Sequence, residues 1–529
     1  MIKHNFSLKT ASPKRSGASA GFLLLGVTAL LLIQRPSAAV PVVVSVQAPA
    51  PAPVVSAKPE AESFYGVYLK GTKIGNVVSQ REDVAPTKAQ PGGTVRVKTV
   101  MMMDLRVMGA NAQIISTSVS LSDAKSGKPL SQYSQTESGG RLTKTTATYT
   151  DRSVNYVTRV GDNEKHGTLS LQQGEAFLFD STSAANFTPK IGKELKGKVF
   201  VAETLALSDS SIKIVSKEPI DVSGQSVSAY KVVQSGASTG TNISYLNDAG
   251  DLLRSDGPIG MQILKEPKTR ALAAPEAGAT KPDLISLVAI TPTGAAIPSP
   301  RTATMAKYAI SNVTRPLPVA DAIQSVTPTA AEGTVTVVVT TRPLPASGAK
   351  LFVPSAEAPT ALSSYLASTI YVPAESKTFQ ALARQIVGSE TDSAKAAGKI
   401  AAWVHNTVKP DPGIAAIRSA DDVLKDPRGV CRDYTTLFAA IARAAGIPTK
   451  QCVGIVYADG KFLYHAWPEV WVGAGTNKDI ADGWVALEPT FGAPFADATH
   501  IKLAEGEITD IARVAADVGS YQISVIEAH

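Results

Sequence analysis

The sequence is poor in cysteine. Only Cys431 and Cys452 occur among 529 residues, so a framework of disulfide bonds is excluded. A single bond between these two residues remains open as an alternative, since the chain carries an apparent export signal. The low fraction of charged residues, 18%, and the 44% of apolar residues are typical of a folded protein rather than a disordered one. A chain of 529 residues is too long for a single hydrophobic core, so roughly three or four domains are expected.

The first 39 residues contain no acidic residue, although they carry five lysine and arginine residues. The apolar run 20–33 is shorter than the ~20 residues that a membrane span needs, and Ser37 and Ala39 fit cleavage before Val40. The pattern predicts a signal peptide at 1–39, with an uncleaved anchor in the inner membrane or a buried helix of a cytoplasmic protein as alternatives. We therefore expect an exported, periplasmic or otherwise extracytoplasmic protein.

A strong basic excess is also missing. The formal net charge is +7, but the first 39 residues supply five of these positive charges and leave +2 for the rest. A basic surface for nucleic acid is not indicated, and no nucleic-acid partner is expected. Phosphate-loop, zinc-ligand and calcium-loop patterns are absent, so no cofactor and no metal are expected.

The first half of the chain has the patterns of β-structure. A Pro/Ala-rich linker occupies 40–62, and short alternating runs separated by turn residues fill 63–268. This alternation predicts an all-β domain, either a barrel or a strongly curved sheet. A second linker at about 266–282 precedes 283–347, where we expect a small β module.

The last third differs in composition and period. All four tryptophans lie beyond residue 359, and 376–388 and 393–408 have helical periodicity. A further helix is predicted from Cys431 to Ala445, ending at Gly446. A thiol at a helix start is favoured as the nucleophilic thiolate by the helix dipole. Arg432 supports this effect and Asp433 opposes it, so activation of the thiol also requires a base.

The next elements supply a base and a carboxylate. The segments QCVGIVY and KFLYHAWPEVWV predict a hairpin whose second strand carries His465, and WVALEPT predicts a third strand with Glu488. His465 follows Cys431 by 34 residues, and Glu488 follows after 23 more. A helix-borne cysteine, a strand-borne histidine and a nearby carboxylate form the nucleophile, base and orienting group of a thiol triad.

Four ordered blocks, GVCRDYTTLFAAIARAAGIPTK, YHAWPEVWV, GWVALEPTFG and DATHIKL, resemble the bacterial transglutaminase-like family of papain-like thiol enzymes. The resemblance implies an α+β catalytic domain of papain-like fold at 355–510, followed by a C-terminal extension at 511–529. It implies that Cys431 is the nucleophile, His465 the general base and acid, and Glu488 the group that orients the imidazole. The family more usually has aspartate before Pro-Thr, where this chain has the longer Glu488.

Simpler interpretations stand beside these roles. Cys431 could be structural or bonded to Cys452, His465 a core histidine, and Glu488 a surface carboxylate. Asp433 is expected to cap the helix or form a salt bridge. His405 is read as an ordinary helical residue, and His500 in the DATHIKL block receives no chemical role.

Two functions follow from the resemblance. The first is an exported cysteine-dependent acyl-transfer enzyme, a peptidase, amidase or transglutaminase, that acts through a thioester on peptide, amide or isopeptide bonds. Its partners are protein or peptide substrates, including cell-envelope peptides. The second is a catalytically inactive envelope binding or assembly protein that uses the groove of the same domain.

Overall fold

The computed structural model describes residues 61–529, except 89, 108, 140, 179–188, 223, 237–239, 275–280, 314–317, 354, 415–416, 474–481, 508–513 and 515–518. The predicted signal or anchor at 1–39 and nearly all of the 40–62 linker lie outside the described residues. Within the described part of the chain, no helix combines the length and apolar character needed to cross a bilayer. The described residues are mostly β-structure.

An antiparallel sheet of fourteen strands lies between Ala61 and Lys265. Strands consecutive in sequence pair with each other, except β8 and β9, and β1 also pairs with β14. Strands β8 and β9 therefore lie at the two ends of the strand order. The strands are β1 Ala61–Leu69, β2 Thr72–Val84, β3 Thr94–Val107, β4 Ala110–Asp123, β5 Pro129–Ser138, β6 Arg141–Tyr149, β7 Ser153–Val160, β8 Asn163–Ser170, β9 Glu194–Val201, β10 Ala206–Val222, β11 Gln225–Gly236, β12 Gly240–Leu246, β13 Leu252–Asp256 and β14 Met261–Lys265.

The alternation of the sequence explains this sheet. Along β3, Met101, Met103 and Leu105 are buried, whereas Met102 between them is exposed. Successive strand residues point to opposite faces, so one face collects the apolar side chains into a shared core. The prediction of a β-rich N-terminal region is confirmed.

A smaller sheet combines distant parts of the chain. Its strand order is β15-β25-β16-β18-β17. The strands are β15 Thr293–Gly294, β16 Met305–Ser311, β17 Gln324–Pro328, β18 Val335–Thr340 and β25 Gln522–Ala528. The predicted C-terminal extension at 511–529 thus supplies a strand to the predicted small β module, where β25 pairs antiparallel with β16.

Seven α-helices are described: α1 Lys268–Ala271, α2 Leu284–Val288, α3 Thr360–Ser363, α4 Lys377–Val387, α5 Ser393–Thr407, α6 Ala420–Lys425 and α7 Cys431–Ala444. A third sheet has the order β23-β22-β21-β24, with β21 Thr449–Ala458, β22 Lys461–Trp471, β23 Trp484–Ala486 and β24 Ile501–Gly506. Two short strands, β19 Lys409–Pro410 and β20 Arg428–Gly429, pair in parallel. Helix α7 lies against β21 and β22 and contacts α4, α5 and α6.

Local chemistry fixes both ends of α7. At its start, the carboxylate of Asp433 accepts the N–H of Val430 at 2.8 Å and pairs with Nε of Arg418 at 3.0 Å. Asp433 therefore has the structural role that the sequence predicts. At its end, Gly446 has φ +84°, and a Cβ there would lie 2.3 Å from the carbonyl oxygen of Phe352. A residue with a Cβ would be strained at this φ and would clash with Phe352. Glycine is therefore required at this position, directly after the helix.

The segment that leads to Cys431 contacts the large sheet. Val430, the residue before Cys431, belongs to the same apolar cluster as the buried residues of that sheet. Polar contacts surround it, because Arg141 pairs with Asp426 at 3.2 Å and Asn163 donates to Asp421 at 3.0 Å. The large sheet therefore helps to position the start of α7.

A buried lysine joins the third sheet to the small one. The ammonium of Lys502 on β24 lies 3.0 Å from both carboxylate oxygens of Glu469 and 3.0 Å from Glu505, and it also contacts Asp321. Both Lys502 and Glu469 are buried. We expect Lys502→Met to destabilise the protein by about 3–5 kcal/mol, because it leaves the charge of Glu469 buried without its partner.

The free energy of unfolding from urea titration measures this effect. The double variant Lys502→Met/Glu469→Leu serves as the control, and it should recover most of the loss, since no uncompensated charge is left in the interior. A loss that stays the same in the double variant would show that packing, not charge, is responsible.

Candidate active site

Three elements bring the predicted site residues together. Cys431 is the first residue of α7, His465 lies in the middle of β22, and Glu488 follows β23, which pairs with β22. All three are buried, with exposures of 0%, 1% and 0%. Strands β22 and β23 are adjacent, so the carboxylate reaches the imidazole although 23 residues separate the two in sequence.

The histidine contacts both partners. Its Nε2 lies 2.7 Å from Oε2 of Glu488, and the imidazole is near enough to Cys431 for a thiolate there to raise its pKa. Since Nε2 faces the carboxylate, Nδ1 is the nitrogen left for the thiol. Phe491 stacks on the imidazole with ring centres 5.0 Å apart and an interplanar angle of 1°. The ring is therefore held between a carboxylate, a thiol and an aromatic face.

Glu488 is held at both carboxylate oxygens. Oε1 accepts the backbone N–H groups of Thr490 at 2.8 Å and Phe491 at 3.1 Å. Oε2 accepts from His465, and Nε2 of His500 lies 2.9 Å from the same oxygen. Burial by itself raises the pKa of Glu488, but the two imidazoles outweigh it and hold this pKa well below its usual range. The carboxyl group is therefore ionised.

His500 is the functional candidate that sequence reasoning missed. It lies directly before β24, which pairs with β21, and this pairing brings it to Glu488. Its Nδ1 lies 3.0 Å from the carbonyl oxygen of Asp497. The available signal was a second histidine in the DATHIKL block, 12 residues after Glu488. His405, by contrast, faces the carbonyl oxygen of Pro489 with its Nδ1, at 3.0 Å.

Both imidazoles are stabilised in the charged form. Burial lowers the pKa of His465, but the negative charges of Glu488 and of a Cys431 thiolate outweigh it and raise the pKa to about 9. Burial likewise lowers the pKa of His500, whereas its hydrogen bonds to Asp497 and Glu488 raise it to about 9. The site thus favours an imidazolium beside the thiol at neutral pH.

Stability is expected to fall as the pH rises from 7 to 10. The pKa of each histidine in the folded protein is about 9, above the ordinary 6.5. Its stabilising contribution is therefore fully present below about 6.5 and is lost as the pH passes through about 9. We expect the free energy of unfolding to decrease by about 2–4 kcal/mol over this range, measured by chemical denaturation. A histidine-free site should lack this decrease, so His465→Leu/His500→Leu is the control, and an unchanged slope in it would contradict the assignment.

Cys452 has different surroundings from Cys431. Both thiols are free, so the alternative of a disulfide bond between them is wrong. Cys452 packs in a small cluster with Trp467, Ala486 and Ala496. Burial raises the pKa of its thiol well above the ordinary value, which makes it a poor nucleophile.

Two groups of side chains among the described residues have the spacing of metal ligands. One consists of His465, Glu488 and His500, and the other of Asp321, Glu469 and Glu505. Within the second group the ammonium of Lys502 already supplies the positive charge. In the first, both imidazoles make hydrogen bonds to the carboxylate, which is the arrangement that a proton-transfer site needs.

Residues 380–489 match the family model described as the transglutaminase-like superfamily. This segment is a transglutaminase-like domain. The matched residues include Cys431, His465 and Glu488 but stop before His500. The predicted resemblance is thereby confirmed for the domain that carries the site.

Individual relatives are distant. An uncharacterized protein of Mycobacterium leprae (strain TN) is 28% identical over 123 residues, which is 22% of this chain and 43% of that protein. The chain therefore spans less than half the length of this curated relative.

Three solved structures are similar to parts of the chain. A candidate cysteine protease from Cytophaga hutchinsonii is 19% identical over 42% of this chain and 86% of that one, with a TM-score of 0.30. A β-barrel-like protein from Brucella abortus is 10% identical over 40% of this chain and 98% of that one, with a TM-score of 0.27. A candidate protease from Parabacteroides distasonis is 11% identical over 78% of this chain and 68% of that one, with a TM-score of 0.18.

Proposed function

We propose that this protein is an exported cysteine-dependent acyl-transfer enzyme acting on peptide, amide or isopeptide bonds. The observation that carries the proposal is the buried series of Cys431, His465 and Glu488 in a transglutaminase-like domain, in which the imidazole is hydrogen-bonded to the carboxylate and acts electrostatically on the thiol. A cysteine at a helix start packed on an antiparallel sheet is also what a papain-like α+β domain requires. The carboxylate orients the imidazole, and the imidazole holds the proton of the thiol.

The first half of the reaction forms a thioester. The Cys431 thiolate attacks the carbonyl carbon of the substrate, and a C–S bond forms while the carbonyl oxygen takes up the negative charge. The N–H of Cys431 has no acceptor within α7, because it belongs to the first turn, so it is available to donate to this oxygen. His465 then gives its proton to the leaving amine as the C–N bond breaks.

The second half releases the acyl group. Neutral His465 takes a proton from water or from an acceptor amine, which attacks the thioester carbonyl, and the C–S bond breaks. Water gives hydrolysis, as in a peptidase or amidase, and an amine gives transfer, as in a transglutaminase. Glu488 stabilises the imidazolium in both halves, since its carboxylate lies 2.7 Å from Nε2.

The location of the reaction is part of the proposal. Residues 1–39 have the charge and hydropathy of an export signal or N-terminal anchor, which would bring the domain to the cell envelope. Envelope peptides and proteins are then the accessible substrates. We favour hydrolysis of peptide or isopeptide bonds among the outcomes that the triad permits.

A second candidate function is a non-catalytic envelope binding or assembly protein. The observation that favours it is the complete burial of the Cys431 side chain. A substrate carbonyl must contact Sγ, so catalysis requires the covering residues to move, whereas binding at the domain surface does not.

Peptide profiling with and without an added primary amine tests both functions. Purified wild-type protein and Cys431→Ala are incubated with a library of peptides, and the products are identified by mass spectrometry. Cleavage without amine indicates hydrolysis, and amine-dependent adducts indicate transfer, provided that Cys431→Ala shows neither. Binding without any product in the wild type would instead support the second function.

A further inference from the structure

His500 shares one carboxylate oxygen with His465. Its Nε2 lies 2.9 Å from Oε2 of Glu488, and Nε2 of His465 lies 2.7 Å from the same atom. The other nitrogen of His500 faces the carbonyl oxygen of Asp497 at 3.0 Å. Both ring nitrogens thus face acceptors, which only the doubly protonated imidazolium can satisfy. His500 therefore contributes a positive charge to the site.

His500 is itself held by charged neighbours. The carboxylate of Asp497 lies 3.5 Å from its Nδ1, accepts the N–H of Thr499 at 2.9 Å, and pairs with Arg301 at 3.0 Å. The guanidinium of Arg301 lies over the ring of Phe491, 4.6 Å from its centre. Since Phe491 also stacks on His465, the chain of contacts returns to the triad.

We propose that His500 is a positioning residue for the acyl transfer, which fixes Oε2 of Glu488 toward His465 and balances the charge of that carboxylate. The inference rests on the proposed function for its effect on turnover, but not for its effect on the thiol. The need for a positioning residue follows from side-chain length. Glutamate has one more rotatable bond than aspartate, and here Thr490, Phe491 and both imidazoles together fix its two oxygens.

The charges of the contacting side chains from Cys431 to Arg301 alternate in sign. A Cys431 thiolate, the His465 imidazolium, the Glu488 carboxylate and the His500 imidazolium follow one another, and Asp497 and Arg301 continue the series. On the helix side, Arg432 and Asp433 act on Cys431 with opposite signs, and Asp433 is already paired with Arg418.

Loss of the His500 charge leaves Glu488 less balanced. The surroundings of Cys431 then become more negative, and Oε2 is no longer fixed from its second side. The first effect disfavours the Cys431 thiolate, and the second loosens the orientation of the imidazole that pairs with it.

The test measures the rate of alkylation of Cys431 by iodoacetamide as a function of pH, in the full chain with Cys452→Ala so that one thiol reports. In His500→Leu the midpoint of this profile is expected to rise by about one pH unit, because the positive charge that balances Glu488 is removed. In His500→Gln, which keeps an N–H donor without the charge, the rise should be smaller. Turnover should fall roughly 10- to 100-fold in kcat for His500→Leu with KM nearly unchanged.

His405→Leu is the matched control. His405 is hydrogen-bonded to the carbonyl oxygen of Pro489 in the same loop and not to the Glu488 carboxylate. The alkylation midpoint of His405→Leu should therefore equal that of the Cys452→Ala protein. An unchanged midpoint in His500→Leu, or an equal shift in His405→Leu, would overturn the proposal. If His500→Leu does not fold, the midpoint of His500→Gln decides in the same way.

The alkylation profile also separates this proposal from the proposed function. Absence of turnover in the wild type would refute the enzyme, while the shift in the midpoint would still report the action of His500 on the thiol. Normal turnover combined with an unchanged midpoint would refute only the role of His500.

Discussion

Replacement of Cys431 with alanine is expected to abolish acyl transfer while the fold persists. No thioester forms without Sγ, and loss of a triad nucleophile lowers kcat by roughly 10⁴-fold or more. The side chain is small and lies at the start of α7, so the free energy of unfolding should change by only about 1 kcal/mol. Turnover of a cleaved peptide, together with chemical denaturation, measures the two effects separately.

Cys452→Ala is the matched control for this prediction. It removes the other buried thiol of the domain, which packs beside Trp467, Ala486 and Ala496. Its turnover should stay near that of the wild type. Substantial activity in Cys431→Ala, or an equal loss in Cys452→Ala, would contradict the assignment of the nucleophile.

Glu488→Gln is expected to have the second large effect, on both activity and stability. An amide cannot balance two imidazolium groups, so burial is opposed less strongly and the pKa of His465 falls. The neutral imidazole then holds no proton for the leaving amine. We expect kcat to fall by roughly 10³- to 10⁴-fold, as for loss of the carboxylate from a triad. Breaking a buried charge pair should also cost about 3–5 kcal/mol in the free energy of unfolding.

Glu505→Gln provides the same substitution at a nearby position. Glu505 is only partly buried and pairs with Lys450 at 3.2 Å and Lys502 at 3.0 Å, away from the triad. The Glu505→Gln variant should keep its acyl-transfer activity. If Glu488→Gln also retains most of the wild-type activity, the carboxylate does not orient His465 as described.

Local patterns were sufficient to predict most of the elements that carry the candidate site residues. The turn before Cys431 and Gly446 after the helix determine α7, and the Ala458-Asp459-Gly460 turn determines the β21–β22 hairpin that carries His465. These signals act within a few residues, so periodicity and turn chemistry reveal them. The third strand predicted from WVALEPT placed Glu488 nearby, and the resemblance to transglutaminase-like proteins implied the same role for it.

Long-range pairing was not predictable in the same way. His500 reaches Glu488 because β24 pairs with β21, and β21 begins some fifty residues earlier in the chain. Likewise, β25 enters the small sheet between β15 and β16, more than two hundred residues away. Such registers depend on which faces bury each other, and no local residue pattern specifies them. The continuity of fourteen strands in one sheet has the same origin.

The central claim is that Cys431 carries the acyl group during turnover. The most direct measurement is rapid acid quenching of the protein after mixing with an activated peptide ester, followed by peptide mapping with mass spectrometry. We expect an acyl adduct on the peptide that contains Cys431. Hydroxylamine should cleave this adduct, and it should be absent from Cys431→Ala and His465→Leu. An adduct on Cys452, or product formation with no adduct at any thiol and undiminished in Cys431→Ala, would contradict the central claim.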